Sequence, residues 1–252
     1  MRLGTTSYIY PADIITNVRR LAGKVQDVEL VIFELDEGSN GLPDDVTITE
    51  LNSLGAQHDM TYTVHLPFGL RLADEQPSVA KAIRVIRGTE RLQPHGFIVH
   101  LDGKAQMSPD ELRCWRDNSL RSLEIICDEV RHPGQICVEN LEDQSPTTLD
   151  SILDTMPVSC CIDVGHLWKR GLDPIPVLDR WLSRARVVHI HGVGERDHKR
   201  LSLMSAAQLD PVVASLRMSF QGVLTFEVFS ERDLLDSFAA FQESSVRCQR
   251  HR

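Results

Sequence analysis

The chain has 252 residues, 42% of them hydrophobic, enough to bury a large core. Its formal net charge of −9 disfavours an extended nucleic-acid footprint, which calls for a basic surface; the basic end RCQRHR reads as a frayed, solvated tail. No apolar run reaches the ~18 residues of a membrane span, and MRLGTTSYIY lacks the apolar core and cleavage site of a signal peptide, so a cytoplasmic protein with no membrane partner is expected.

Short β-branched apolar runs then alternate with longer amphipathic ones. RLGTTSY (2–8) is the first strand pattern, and Pro11-Ala12-Asp13 signals the helix after it. DVELVIFE (27–34), TYTVHL (61–66) and GFIVHL (96–101) follow, the last two separated by the helical pattern SVAKAIRVIRGTERL. Ser108-Pro109-Asp110 opens a second long helical stretch, ELRCWRDNSLRSLEIICDEV. QICVEN (135–140), VSCCID (158–163), RVVHIH (186–191) and GVLTFE (222–227) complete the strand patterns, with Asp173-Pro174 marking a helix start between the second and third of these. Eight near-continuous apolar strands, each followed by a helix, specify a parallel (β/α)8 TIM barrel, one domain over residues 1–252. A doubly wound open sheet would place a glycine-rich loop after its first strand, where this chain has Tyr8-Ile9-Tyr10-Pro11. The six cysteines form no CxxC pair, and adjacent Cys160 and Cys161 should point to opposite faces of their strand as core fillers.

Active sites of such barrels lie at the C-terminal strand ends. Here the ends carry Glu34, His65, His100, Glu139, Asp163 with His166, His189 with His191, and Glu227. Any one alone is better explained as a helix cap or a hydrogen-bonded structural histidine. All of them on one rim would repel or require protonation, and a divalent cation resolves that conflict. Mixed imidazole and carboxylate ligands suit Zn, Mn, Fe or Co. His58, His95, His132 and His251 fall away from this rim, and His198 in GERDHKR lies in the loop after the seventh strand, where it can fold over the mouth. Phe68, Leu167 and Trp168 near the rim would accommodate a bulky, partly apolar metabolite, although core packing explains them equally well. No G-x-S-x-G elbow is present.

The segments TVHLP, FIVHLD, CVENLED, CIDVGHLW, VVHIHGV and LTFEVFS resemble the xylose isomerase-like barrel superfamily over nearly the whole chain. That superfamily includes the sugar isomerases and epimerases and the endonuclease IV enzymes. The resemblance implies a metal quartet of Glu139, Asp163, His189 and Glu227. In the endonuclease IV branch it implies a second metal on His65 and His100, bridged by Glu139, hence two or more divalent ions. That branch completes a third site with the histidine corresponding to His166 and a later Asp-x-His; this chain instead reads Arg196-Asp197-His198-Lys199, so completion by His198 or His191 stays open.

The opening LGTTSYIYPADIITNVRRL followed by DVELVIFE most resembles cobamide-remodelling phosphodiesterases, which cleave the phosphoester of the cobamide nucleotide loop. On that reading Glu139, Glu227 and His166 serve catalysis, and Glu34, Tyr8, Lys104, His191, Arg196 and Trp168 contact a small-molecule substrate. A sugar isomerase or epimerase, with Glu139 and Glu227 shuttling a proton, is the main alternative. An abasic-site endonuclease and a non-enzymatic binding protein rank lower, the first because of the net acidity and the second because the quartet is intact.

Overall fold

The computed structural model describes residues 1–33, 41–74, 76–103 and 107–250. Glu34, Lys104 and His251 lie outside the described residues. Eight strands close into an all-parallel barrel in sequence order: β1 (Arg2–Thr6), β2 (Asp27–Val31), β3 (Thr61–His65), β4 (Phe97–Val99), β5 (Ile136–Glu139), β6 (Ser159–Asp163), β7 (Ala185–Ile190) and β8 (Val223–Phe226), with β1 also paired to β8. Around them run α1 (Ile14–Leu21), α2 (Asp45–His58), α3 (Gln76–Thr89), α4 (Pro109–Cys127), α5 (Thr147–Leu153), α6 (Val164–Lys169), α7 (Ile175–Trp181), α8 (Ala206–Ser219) and α9 (Glu231–Arg250). The expected TIM barrel is thus the fold.

Local chemistry sets the helix starts. Asp13 accepts from the Thr16 N–H ahead of α1, Asp44 from the Thr47 N–H ahead of α2, and Ser108 forms a reciprocal capping box with Glu111 ahead of α4. Most strands stop one to three residues before the end of the apolar run that marks them in the sequence. His100, His191 and Glu227 therefore stand just past the last ladder positions, on the loops that form the mouth.

Alternate residues of the strands fall into two separate apolar clusters. The outward set, with Leu30, Val64, Val99, Val138, Ile162, Val188 and Phe226, packs with the helices into the main core. Ile98, Cys137, Cys161, Val187 and Val223 form a second, smaller cluster inside the barrel. Cys160 belongs to the outer set and Cys161 to the inner one, as strand alternation requires. All six cysteines are free.

Phe226 is fully buried, with its ring 4.6 Å from Phe238 and 5.5 Å from Phe241 of α9. It anchors the strand end that presents Glu227. Phe226→Ala should cost about 3–5 kcal/mol of unfolding free energy by chemical denaturation; a change below about 1 kcal/mol would mean that α9 is not docked through this ring.

Candidate metal centre

The period of two along each strand builds the centre directly. Above the inner apolar cluster, the next residue on the same face of each strand is polar. Ile98 is followed by His100, Cys137 by Glu139, Cys161 by Asp163, Val187 by His189 and His191, and Val223 by Thr225 and Glu227. The same spacing runs from Thr63 to His65 on β3 and from Asp27 to Glu29 on β2. The barrel is closed by hydrocarbon below and lined with titratable groups above.

Two ligand groups share one residue. Glu139, Asp163, His189 and Glu227 bring potential ligand atoms within 4.8 Å of one another, as do His65, His100 and Glu139. The two carboxylate oxygens of Glu139 divide between them. Its Oε2 accepts from His100 Nε2 at 2.9 Å and lies 3.4 Å from His65 Nε2, while its Oε1 is 3.1 Å from His189 Nδ1.

Each ligand is oriented by a partner behind it. A carbonyl can only accept, so the 2.7 Å contact of His65 Nδ1 with its neighbour's carbonyl at Leu66 protonates Nδ1 and leaves Nε2 bare toward Glu139. His166 Nδ1 donates to the Asn140 carbonyl at 3.0 Å in the same way. The Asn140 side chain grips the Asp163 backbone from both sides, accepting from its N–H at 2.8 Å and donating to its carbonyl at 2.9 Å. Asp163 is at once helix cap and ligand: Oδ1 accepts from the His166 N–H at 2.7 Å and starts α6, while Oδ2 faces the quartet. His189 Nε2 lies 2.8 Å from Glu29 Oε2, which directs Nδ1 at the quartet.

His191 and Gly165 fit together sterically. A Cβ on Gly165 would lie 2.2 Å from His191 Cε1, so only glycine admits this ring. The close approach, and not turn flexibility, is what position 165 requires. His191 Nδ1 lies 3.0 Å from the His198 backbone nitrogen and 3.2 Å from the Gly192 carbonyl, and its Nε2, buried without a hydrogen-bond partner, lies 3.4 Å from Asp163 Oδ1.

The electrostatics explain why the centre suits cations. Burial alone would push these carboxylates up and the imidazoles down, but their opposite charges win. His189 and His100 hold Glu139 well below the usual carboxylate range, and His189 and His198 do the same for Glu227. In return His65 and His166 are raised, His189 is raised well above an ordinary imidazole, and His198 is pushed up to about 9. Yet His65 Nε2, Asp163 Oδ2, Glu227 Oε2 and Glu29 Oε1 are buried without a hydrogen-bond partner. Such orphaned acceptors, aimed at one another inside a closed barrel, fit divalent cations in the two Glu139 groups. The Cys161 thiol beside His189 is pushed far up by burial, and it lies within ligand distance of Glu139 and His189.

Asp163, His166, His191 and His198 also bring potential ligand atoms within 4.8 Å of one another, so both His191 and His198 stand beside His166, where the sequence leaves a third site open. Glu142, His166 and Asp197 form another such group, in which Lys169 Nζ pairs with Asp197 at 2.5 Å and also with Glu142 and offsets part of their charge. His198, in the left-handed region at φ 52°, turns its Nε2 to within 3.3 Å of Glu227 Oε2 and its Nδ1 to 3.2 Å from Asp197.

The expected residues His65, His100, Glu139, Asp163, His166, His189, His191, His198 and Glu227 thus converge, and Tyr8 lies on the rim. Arg196 is solvent-exposed. Trp168 and Leu167 are packed into the hydrophobic core, the alternative that the sequence leaves open for them beside a substrate contact, because α6 turns them away from solvent. Glu29, Asn140, Glu142, Asp197 and Lys169 escape a reading of strand ends. Glu29 did leave a signal, since two carboxylates at alternate positions of DVELV must share one buried face.

The fold is a TIM barrel with clusters of potential metal ligands at its mouth, and comparison with known proteins agrees on the family. Residues 23–246 match the xylose isomerase-like TIM barrel model, and the chain belongs to that family. No curated protein matches it significantly. Among solved structures it is similar to a D-tagatose 3-epimerase-like protein, with a TM-score of 0.80, 19% identity, and 100% of this chain and 99% of that one covered. It is also similar to endonuclease IV from Thermus thermophilus, with a TM-score of 0.76, 18% identity and coverage of 98% and 100%. L-ribulose 3-epimerase aligns with a TM-score of 0.73 at 15% identity, over 99% of this chain and 96% of that one. At these identities the likeness is one of fold. Members of the family commonly bind divalent metals.

Two outcomes follow from the geometry. Glu29→Gln weakens the partner that orients His189, and should lower metal affinity about 10–100-fold with the barrel intact; unchanged affinity by chelator competition would remove that role. Ligand imidazoles must be neutral, and His65 and His189 hold protons more tightly than usual, so Mn²⁺ or Zn²⁺ binding at pH 7 should release protons and weaken steadily as pH falls. Calorimetry in two buffers of different ionisation enthalpy reads the release, and a pH-independent affinity would contradict the ligand set.

Proposed function

We propose that the protein is a metal-dependent phosphodiesterase acting through two divalent cations. The observation that carries the reading is the His65–His100–Glu139 group beside the quartet, sharing Glu139 with it; proton shuttling at one ion has no use for a second ligand set. The mouth is also acidic, with Glu142, Asp143 and Asp197 lining the same cavity as Glu139 and Glu227, so an anionic phosphoester requires cations to enter.

Bound there, the ions would polarise a phosphoryl oxygen and acidify a water at neutral pH. The chain's own groups do the rest. Glu139 keeps the two ligand groups at a fixed separation, and Asp163, held at both backbone ends by Asn140, resists displacement. Glu227, whose Oε2 has no hydrogen-bond partner, takes the proton of the attacking water as the P–O bond to the leaving alcohol breaks. His166, held by Asn140 and only 8% exposed, is the imidazole on the far side of Asp163 that returns a proton to the leaving oxygen. The likeness of the opening segment to cobamide-remodelling phosphodiesterases supports the nucleotide loop of a cobamide as the substrate.

One observation favours a second reading, a sugar isomerase or epimerase. Glu139 Oε1 and Glu227 Oε2 lie 3.1 and 3.2 Å from the same nitrogen of His189, an arrangement of two carboxylates that can shuttle a proton across one ion. The metal-to-protein ratio of gently purified protein separates the two. Two ions, with one lost in His65→Ala or His100→Ala, is the expected result; a single ion indifferent to both, with turnover of ketoses, would establish the isomerase. Glu139→Gln should lower hydrolysis of bis(p-nitrophenyl) phosphate by more than about 100-fold, since even partners behind a ligand cost 10–100-fold, and should reduce occupancy of both groups without unfolding the barrel.

A further inference from the structure

One half of the mouth is aromatic. Tyr8, Phe33, Phe68 and Phe229 come from four different strand ends, and each remains 39–49% exposed. Their rings touch in sequence round the rim. Phe68 lies 6.4 Å from Phe33, Phe33 lies 5.1 Å from Tyr8, and Tyr8 lies 6.2 Å from Phe229. Both ends of this arc reach the metal centre, Phe68 at 4.6 Å from His65 and 5.5 Å from His100, and Phe229 at 5.1 Å from His198. Exposed aromatic rings on a soluble barrel forgo their burial energy, and four in contact mark a surface meant to be covered.

Behind Tyr8 and Phe33 the arc opens into a cavity of about 510 Å³, walled by Ile14, Ile15, Val31 and Leu42. The polar groups in that wall sit at its edge and are partly engaged. Asp13 and Asp44 each cap a helix through one oxygen, and Ser7 Oγ accepts from the Val31 N–H. A flat, weakly solvated ring would lose nothing and would stack on the exposed faces.

We propose that this arc is a subsite for a planar aromatic heterocycle of the substrate, held beside the phosphoester that the metal centre binds. The inference rests on the phosphodiesterase reading for the identity of the neighbouring group. It names the substrate class as a phosphoester carrying a nucleobase-like ring and excludes a bare sugar phosphate. Phe33 and Phe229 are the specificity-determining residues, on either side of Tyr8.

The test uses adenosine 5′-monophosphate and ribose 5-phosphate, which differ only by the base, titrated by calorimetry into metal-loaded protein. Base stacking on a protein aromatic corresponds to roughly ten-fold or more in affinity. The adenosine compound should therefore bind at least about ten-fold tighter, and Phe33→Ala or Phe229→Ala should remove most of that advantage while leaving metal content and ribose 5-phosphate affinity unchanged. Equal affinity of the two compounds, no heat from either, or an equal weakening of both in the variants overturns the proposal. A preference for the base in a protein that does not hydrolyse bis(p-nitrophenyl) phosphate would leave the subsite standing and sink the phosphodiesterase reading instead.

Discussion

The structure depends on one buried carboxylate. Glu139 is 2% exposed at the centre of a barrel whose floor is hydrocarbon, a setting where an unbalanced charge is not tolerated. Its two oxygens face different sets of imidazoles, so the groups around it must be placed to satisfy both sides at once. The arrangement of the remaining ligands follows from that demand. His189 needs Glu29 behind it to present the correct nitrogen, and His65 needs the Leu66 carbonyl for the same reason. Asp163 needs Asn140 to stay put, and one of its own oxygens accepts the N–H that starts the next helix. The close seat of His191 over Gly165 is the steric counterpart of this electrostatic scheme.

Each strand serves the core with one face and the centre with the other. Phe226 packs into α9, and the next residue, Glu227, enters the quartet; Val138 and Glu139, or Ile162 and Asp163, repeat the division. Packing outside the barrel thereby sets ligand positions inside it, because a strand that shifts to relieve a cavity carries its ligand along. Polar groups deeper in the barrel obey the same rule of satisfaction without joining the centre. Asp27, fully buried, accepts from the Thr61 and Thr63 hydroxyls at 2.6 and 2.9 Å, and burial still pushes it up to about 7. It stiffens the β2–β3 pair below Glu29.

Much of this was legible in the chain because strand alternation and βα spacing are local signals. Asp163 and His166 gained meaning only from the repetition of such residues at successive strand ends, and those from His65 to Glu227 could be placed on one rim without knowing any contact. What escaped is what depends on three dimensions. Glu29 lies mid-strand and acts on a residue 160 positions away. Lys169, at the end of α6, joins Glu142 to Asp197 across two loops, so nothing near Asp197 in sequence announces this pairing. Trp168 sits two residues beyond a ligand, yet the short turn of α6 rotates it into the core. The need for glycine at 165 comes from the distant ring of His191, and no local rule for turns contains it.

The mouth is divided by chemistry as well as by position. Its acidic side gathers Asp102, Glu142, Asp143 and Asp197 next to the ligands, with Lys169 inserted where the sequence departs from Asp-x-His. Its aromatic side runs from His65 to His198 through four rings. Glu139 and Glu227 line the cavity at the boundary between the two sides. On the proposed phosphodiesterase reading, the substrate would present its anionic group there while turning an apolar face toward β1, β2 and β8 and a polar one toward β5 and β6. A phosphoester joining a flat ring to a polar body has that asymmetry. The ligand set alone can be read as that of an isomerase or of a hydrolase, but the uneven wall around it favours the larger, two-faced substrate.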